Sequence, residues 1–157
     1  KLPFIKVFDI NSCECKSSFI HPDSAAVWKI CQLSDGKIAS IGVDKEIKIW
    51  DENSYEVKQR IETNQAQMRC IAELKNGKIA LGGFSGELKF FDYKSGKLEE
   101  TIKDIDCSSN NSMLYYPQKD LLLVGGLYII SLINTSSHEI VKKYVTLLAS
   151  FLKKSEV

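Results

Sequence analysis

The sequence lacks any long apolar segment, and its positive and negative charges nearly cancel. The longest apolar run, residues 121–133, is interrupted by Gly125, Gly126 and Ser131, whereas a membrane-spanning helix needs roughly 18–20 apolar residues. The 21 basic and 20 acidic residues give a formal net charge of +1. We therefore expect neither a membrane nor a nucleic acid as a partner, because anionic surfaces are bound through an excess of basic residues.

The usual catalytic motifs are absent as well. The sequence contains no GxxxxGK[ST] phosphate loop, no GxSxG nucleophile elbow and no HExxH motif. Its two histidines, His21 and His138, are few for a metal centre, and its acidic residues form no calcium-binding cluster. We expect no catalytic residue, no cofactor and no metal.

Cysteine is present in an odd number, five, and without regular spacing. Such a set is more typical of a reducing compartment than of a disulfide framework, which favours a cytoplasmic, intracellular protein. Cys13 and Cys15 are too close for a CxxC metal knuckle, so we interpret them as small residues of a strand and its turn.

One pattern is repeated along the chain. "LSDGKIASIGVDKEIKIWD" (33–51) and "LKNGKIALGGFSGELKFFD" (74–92) align without a gap, and a weaker copy, "YPQKDLLLVGGLYIISLIN", occupies residues 116–134. A partial copy, "IKVFD", lies at 5–9. The last residues of the copies are Asp9, Asp51, Asp92 and Asn134, spaced 42, 41 and 42 residues apart. A period of about 40–45 residues is typical of one four-stranded propeller blade.

The composition of each copy favours strands. Ile47, Ile49 and Asp51 alternate with Lys48 and Trp50, the period of a strand with two distinguishable faces. The predicted strands are 5–8 and 15–20, then 27–33, 38–41, 47–50 and 57–61, then 68–74, 79–81, 88–91 and 98–102, and finally 113–116, 121–124, 128–133 and 140–144. Asp35-Gly36 and Asn76-Gly77 predict two-residue type I′ hairpin turns with positive φ at both residues. Turn residues recur too often for a helical solenoid.

These features predict an all-β domain with a partial unit at 1–21 and full units at about 22–62, 63–104 and 105–145. Residues 146–157 are left open between a strand and a helix, and strand is slightly favoured because "FLKKS" aligns with "ELKNG" at 73–77.

The first full copy resembles the WD40 repeat, through its final Trp50-Asp51 and through Asp44 in the turn between its second and third strands. The second copy ends in Phe91-Asp92, and the third lacks both signature residues. The resemblance implies a β-propeller, and propellers usually close with four to eight blades. Three full blades with two partial ends are compatible with a small four-blade ring or an eight-blade ring shared by two copies. We expect a segment of a longer propeller.

The resemblance also implies a buried hydrogen-bond network within one blade, formed here by His21, Ser40, Asp44 and Trp50. These residues are interpreted as structural rather than catalytic, because the family arrangement is internal. In the second copy Ser85 and Phe91 replace the Asp and the Trp, so we expect no such network there.

The family binds partners on one rim of the propeller. By resemblance, the rim positions in this chain are Ala26, Trp28 and Val43, then Gln67, Arg69 and Phe84, and, in the third copy, Ser109, Asn111 and Gly126. Trp28, Arg69 and Phe84 are residue types that anchor interfaces. The alternative interpretation is that Trp28 packs between blades, Phe84 caps a turn and Arg69 is merely solvated.

The sequence thus predicts a non-catalytic scaffold or adaptor that holds a partner protein or peptide, within a multiprotein complex. Further blades would come from a longer chain or a second copy. The alternative is a propeller enzyme or small-ligand binder with a polar site in the central channel.

Overall fold

A computed structural model describes residues 4–22, 26–65, 67–103, 105 and 112–145. These residues form antiparallel β-sheets, which confirms the expected all-β class. Residues 146–157, with their open choice between strand and helix, lie outside the described residues, as do Ser109 and Asn111. In the part of the chain that is described, no helix is long and apolar enough to cross a bilayer.

Four sheets follow one another along the chain. An N-terminal hairpin pairs β1 (Phe4–Phe8) with β2 (Cys15–Ile20). Sheet I contains β3 (Val27–Gln32), β4 (Ile38–Gly42), β5 (Glu46–Trp50) and β6 (Val57–Glu62). Sheet II contains β7 (Met68–Glu73), β8 (Lys78–Gly83), β9 (Leu88–Asp92) and β10 (Lys97–Ile102). Sheet III contains β11 (Ser112–Tyr116), β12 (Leu121–Gly125), β13 (Ile129–Asn134) and β14 (Ile140–Val145). Every strand begins and ends within two residues of its predicted span.

The repeated Asp or Asn closes the turn that leads into the last strand of each unit. Asp51 Oδ1 accepts hydrogen bonds from the backbone N–H groups of Asn53 (3.0 Å) and Ser54 (2.8 Å). These two bonds, that of Ser54 first, lower the pKa of Asp51. Asp9 and Asn134 bond the residues two and three positions later in the same way, and Asp92 bonds the residue three positions later. The repeat therefore preserves a side chain that satisfies turn N–H groups.

The same turn has a second constant feature. The fourth residue after each Asp or Asn has a positive φ, and these residues are Cys13 (57°), Tyr55 (56°), Gly96 (74°) and His138 (57°). Two of the non-glycine residues contact a neighbouring sheet. The ring centroid of Tyr55 lies 4.9 Å from that of Phe19, with the rings stacked, and the ring centroid of His138 lies 4.6 Å from that of Phe90. The hairpin β1–β2 thus has the turn found between the third and fourth strands of the full sheets.

The loops at Asp35-Gly36 and Asn76-Gly77 differ from the prediction. Each loop holds three residues, because the closing hydrogen bonds run from Leu33 N to Lys37 O and from Leu74 N to Lys78 O. Asn76 and Gly77 both have positive φ, but at the first loop only Gly36 does. A three-residue hairpin loop needs the left-handed conformation only at its last position, and Gly36 supplies it. The predicted two-residue loops are therefore wrong.

The hydrophobic core lies between successive sheets. Buried residues of sheets I and II form one cluster, and buried residues of sheets II and III form a second. In β9, Phe91 belongs to the first cluster and the adjacent Phe90 to the second, so both faces of sheet II are covered. Residues of β7 lie close to β3 and β11, which makes the first strands of the three full sheets neighbours.

Sheet I is also covered on both faces. Ile47, Lys48, Ile49 and Trp50 are all buried, although the alternating pattern suggested two different faces. The reason is that the N-terminal hairpin packs on the side opposite sheet II, with the rings of Phe19 and Trp50 5.0 Å apart. The buried Lys48 ammonium forms ion pairs with Asp44 and with Glu46 (3.1 Å).

Candidate protein-binding surface

Trp28 and Arg69 occupy equivalent β-bulges at the starts of β3 and β7. In sheet I, Val27 pairs with Gly42 and Lys29 with Ile41, which leaves Trp28 as the extra residue. In sheet II, Met68 pairs with Gly83 and Cys70 with Gly82, which leaves Arg69 as the extra residue. A bulge bends its strand and redirects a side chain. No such irregularity interrupts the pairing of β11 with β12.

The two bulges bring Arg69 onto aromatic rings from both sheets. The guanidinium carbon of Arg69 lies 3.5 Å from the centroid of the Trp28 ring and 4.7 Å from the centroid of the Phe84 ring. Both distances are within the range of cation–π interactions. Trp28 is 42% exposed and Phe84 is 44% exposed, while Arg69 is half-buried. We call these three residues the aromatic–arginine cluster.

Glycines permit the close approach of strands beneath the cluster. A Cβ atom on Gly42 would lie 2.2 Å from the Ala26 carbonyl oxygen, and one on Gly83 would lie 2.6 Å from the Gln67 carbonyl oxygen. Real Cβ contacts are essentially never this short. At the first two of its three positions, the shared glycine is therefore required because no larger residue fits beside the carbonyl. Val43 and Phe84 are the residues that follow these two glycines.

The remaining predicted rim residues differ in their exposure. Ala26, Val43 and Gln67 are exposed, and Gly126 is half-buried, with its N–H bonded to the Ile129 carbonyl at 2.9 Å. The sequence-based alternative that Trp28 packs between blades captures part of its environment, because the ring contacts Arg69 of the next sheet while remaining partly exposed.

Arg69 carries a charge for which no described residue supplies a counter-charge. Its Nε atom is buried and has no hydrogen-bond partner in the described part of the chain. The described carboxylates closest to the cluster in sequence have other partners: Glu87 interacts with Lys89 at 3.7 Å, and Glu73 accepts hydrogen bonds from the backbone N–H and the hydroxyl of Ser34, both at 2.8 Å. A buried donor left without an acceptor generally costs about 1–3 kcal/mol, so this arrangement requires an explanation.

Three of the four residues of the predicted network are hydrogen-bonded to one another. Ser40 Oγ accepts a hydrogen bond from Trp50 Nε1 (2.8 Å) and lies 3.2 Å from His21 Nε2, and all three residues are buried. Asp44 is not hydrogen-bonded to this set, because its Oδ2 pairs with Lys48. In sheet II, Ser85 Oγ accepts a bond from Gln65 Nε2 at 2.9 Å instead.

A polar cluster that the sequence did not indicate lies in sheet III, at its border with sheet II. Asp120 accepts hydrogen bonds from the hydroxyls of Ser136 (2.5 Å), Thr135 (2.6 Å) and Tyr115 (2.8 Å). These three donors, in that order, lower the pKa of Asp120 from 3.8 to about 2. The cluster borders a cavity of about 290 Å³ whose wall includes Lys75 and Lys78. With its oxygens engaged by hydroxyls, Asp120 is a weak base and a cross-link between two strand connections.

We expect the contribution of Asp120 to stability to disappear in acid. A carboxyl whose pKa is lower in the folded chain stabilises the fold above its ordinary pKa of 3.8, and this stabilisation is lost as the pH falls toward about 2. Asp120→Asn should therefore destabilise the protein by about 1 kcal/mol at pH 6, and the difference from wild type should shrink between pH 4 and pH 2.5. Urea unfolding across this range measures the difference. Glu14→Gln, at an exposed site, is the control, and a difference for Asp120→Asn that did not vary with pH would contradict the expectation.

The described residues contain no group of three or more His, Cys, Asp or Glu side chains that could hold a metal ion. No disulfide joins Cys13, Cys15, Cys31 or Cys70. Cys13 and Cys15 are exposed, in the turn and second strand of the N-terminal hairpin.

No protein-family model matches this chain, and no curated protein matches its sequence.

Proposed function

We propose that this chain is a non-catalytic protein-interaction module, built as a segment of a WD40-type β-propeller, that holds a partner protein or peptide on one rim. The propeller arrangement is supported by three four-stranded antiparallel sheets that follow each other at the repeat spacing. It is further supported by the adjacency of their first strands, β3, β7 and β11, since blades of a propeller meet at an axis.

The exposed faces at the two ends of the sheet series support a larger ring. Phe4 and Phe8 of the N-terminal hairpin are exposed, and so are Leu114, Val141 and Val145 of sheet III. Such faces are usually covered in a folded protein. In the proposed ring they pack against further blades, from a longer chain or from a second copy, and the molecular mass in solution distinguishes these sources.

The single observation that carries the interaction proposal is the aromatic–arginine cluster. Tryptophan and arginine are the residues most enriched among interface hot spots, and partial burial limits the entropy that they lose on binding. The cluster lies where two sheets begin, on side chains that two bulges direct toward each other. A rigid sheet scaffold with exposed anchors of this kind is typical of a binding platform.

The compartment belongs to the same proposal. We place the protein inside the cell, in the cytoplasm, on the odd number of cysteines and on the absence of a disulfide among the four that the structure describes. Secretion of the chain with its thiols oxidised in pairs would contradict this placement.

We expect combined substitution of the cluster to abolish partner capture. Trp28→Ala, Arg69→Ala and Phe84→Ala in one chain remove most of the anchoring area, so bound partner should fall by about tenfold or more, because loss of one hot spot alone often costs about 2 kcal/mol. The measurement is affinity capture with quantitative mass spectrometry, in which wild-type chain and variant compete for the same extract.

A matched control removes exposed apolar side chains elsewhere. Leu98→Ser with Tyr116→Ser affects side chains that are 44% and 43% exposed, close to the values of Phe84 and Trp28. This control should retain every partner that depends on the cluster. Undiminished capture by the triple variant, with its fold intact by circular dichroism, would refute the proposed binding surface.

A further inference from the structure

The contact of Arg69 with aromatic rings leaves hydrogen-bond donors available in the plane of its guanidinium group. A guanidinium is planar, and all its N–H groups point outward in that plane. The guanidinium carbon lies over the Trp28 ring, only 3.5 Å from its centroid, so one face of the group is stacked on that ring and the edge is left for an acceptor. Because the two rings limit the motion of the side chain, the donors are already oriented before a partner arrives.

The surroundings of Arg69 favour an acceptor with a single negative charge. Among the described residues no carboxylate forms an ion pair with Arg69, and its buried Nε has no acceptor. The chain has two arginines, and the other, Arg60, is paired with Glu46 at 2.9 Å. A phosphate group carries nearly two negative charges at neutral pH and is usually bound by several cations. The cluster contains one arginine, and the acidic residue Glu87 follows Phe84 by three residues. A carboxylate therefore suits this site better than a phosphate.

We propose that the aromatic–arginine cluster binds an acidic peptide segment, with an Asp or Glu carboxylate on the edge of Arg69 and an adjacent apolar side chain on the rings of Trp28 and Phe84. The inference rests on the proposed function, because it specifies the chemistry of the partner at the same surface. The carboxylate accepts hydrogen bonds from the terminal N–H groups of Arg69, because its Nε is buried, and the exposed ring area supplies the apolar contact.

The test begins with a library of random 12-residue peptides displayed on phage and selected on the immobilised full chain. We expect enriched peptides to contain Asp or Glu next to Leu, Phe or Trp. In a synthetic copy of an enriched peptide, Glu→Gln should weaken binding about tenfold, the usual effect of losing one charged hydrogen-bonded pair. Arg69→Met should weaken binding of the acidic peptide by the same factor. It should leave the affinity for the Gln peptide unchanged, because Arg69→Met and Glu→Gln remove the same interaction.

The matched control is Arg60→Met, which removes the only other guanidinium and should leave peptide affinity within twofold. Arg69→Lys keeps the charge but not the planar edge, so it should restore less than half of the lost binding free energy. Melting curves recorded by circular dichroism establish that each variant is folded.

The outcomes separate the inference from the proposed function. The selection could enrich peptides without acidic residues, whose binding depends on Trp28 and Phe84 but not on Arg69. This result would overturn the proposal that a carboxylate binds Arg69 and would leave the proposed interaction module intact. A peptide carrying phosphoserine in place of Glu that bound tenfold more tightly would overturn it in favour of phosphate. Failure to enrich any peptide, or equal binding to the triple alanine variant, would overturn the acidic-peptide inference, and partner capture by the triple variant would then decide the proposed function separately.

Discussion

Replacing Trp50 with alanine is expected to destabilise the protein by about 3–5 kcal/mol, the usual cost of removing a large aromatic side chain from a core. Trp50 is buried, its indole N–H donates to Ser40 Oγ at 2.8 Å, and its ring lies 5.0 Å from Phe19 and 5.6 Å from His21. The substitution thus removes one of the two aromatic contacts of Phe19 that hold the N-terminal hairpin against sheet I. Urea unfolding followed by far-ultraviolet circular dichroism measures the loss, and hydrogen exchange of β2 amides should accelerate.

Trp50→Phe separates the ring contact from the hydrogen bond. The equivalent position of sheet II is Phe91, which is buried and packs well, so a phenyl ring fits this kind of site. The variant loses only the indole donor, and we expect a cost of about 1–2 kcal/mol. If the alanine and phenylalanine variants lost equal stability, packing of the hairpin on Trp50 would not be the dominant contribution.

The second large effect concerns the glycines beneath the aromatic–arginine cluster. Gly42→Ala and Gly83→Ala should each destabilise the protein by about 2–3 kcal/mol, because the new methyl group meets a backbone carbonyl oxygen and forces the bulged strand to move. Neither glycine has a left-handed φ, so the cost comes from space alone. Movement of the Gln67 carbonyl also displaces Arg69, and Gly83→Ala should therefore weaken partner binding as well. Thermal and urea unfolding of each variant test this series.

Gly125 is the matched control in the third copy. A Cβ there would approach the Ser112 hydroxyl oxygen at 2.6 Å, while the nearest backbone atom is 3.8 Å away. A serine hydroxyl can rotate to another rotamer, so Gly125→Ala should cost less than about 1 kcal/mol, and Ser112→Ala in the same chain should remove that cost. If all three substitutions destabilised the protein equally, close contact with a backbone carbonyl would not explain the cost at Gly42 and Gly83.

The strands and their order were accessible to sequence analysis because they depend on local patterns. Alternation over five or six residues and turn residues at fixed spacing mark each strand, so even the weak third copy was placed within two residues. The hairpin loops were predicted with the wrong length, because a left-handed glycine is the last residue of both a two-residue type I′ loop and a three-residue loop. The closing hydrogen bond, which decides between them, is a contact between two strands.

The candidate site was accessible only in part. The resemblance to the WD40 repeat, together with residue type, marked Trp28, Arg69 and Phe84, but not that one guanidinium contacts both rings. The bulges that direct these side chains are shifts of pairing between strands, and they leave no trace in the residue pattern of either strand. Asp44 was assigned to the network of His21, but a lysine four residues away is closer and carries the opposite charge. Asp120 had no signal at all, since its donors lie on β11 and on the connection between β13 and β14.

By itself, the sequence determined the all-β class, the spacing of the units and the residue types available at each strand end, because period-two alternation and turn chemistry act over a few neighbouring residues. Only the tertiary structure decided which faces of sheet I are buried, where Lys48 finds its counter-charges and which side chains meet where β3 and β7 begin. Those outcomes depend on atoms that packing brings together from segments about forty residues apart, and no local pattern carries that information.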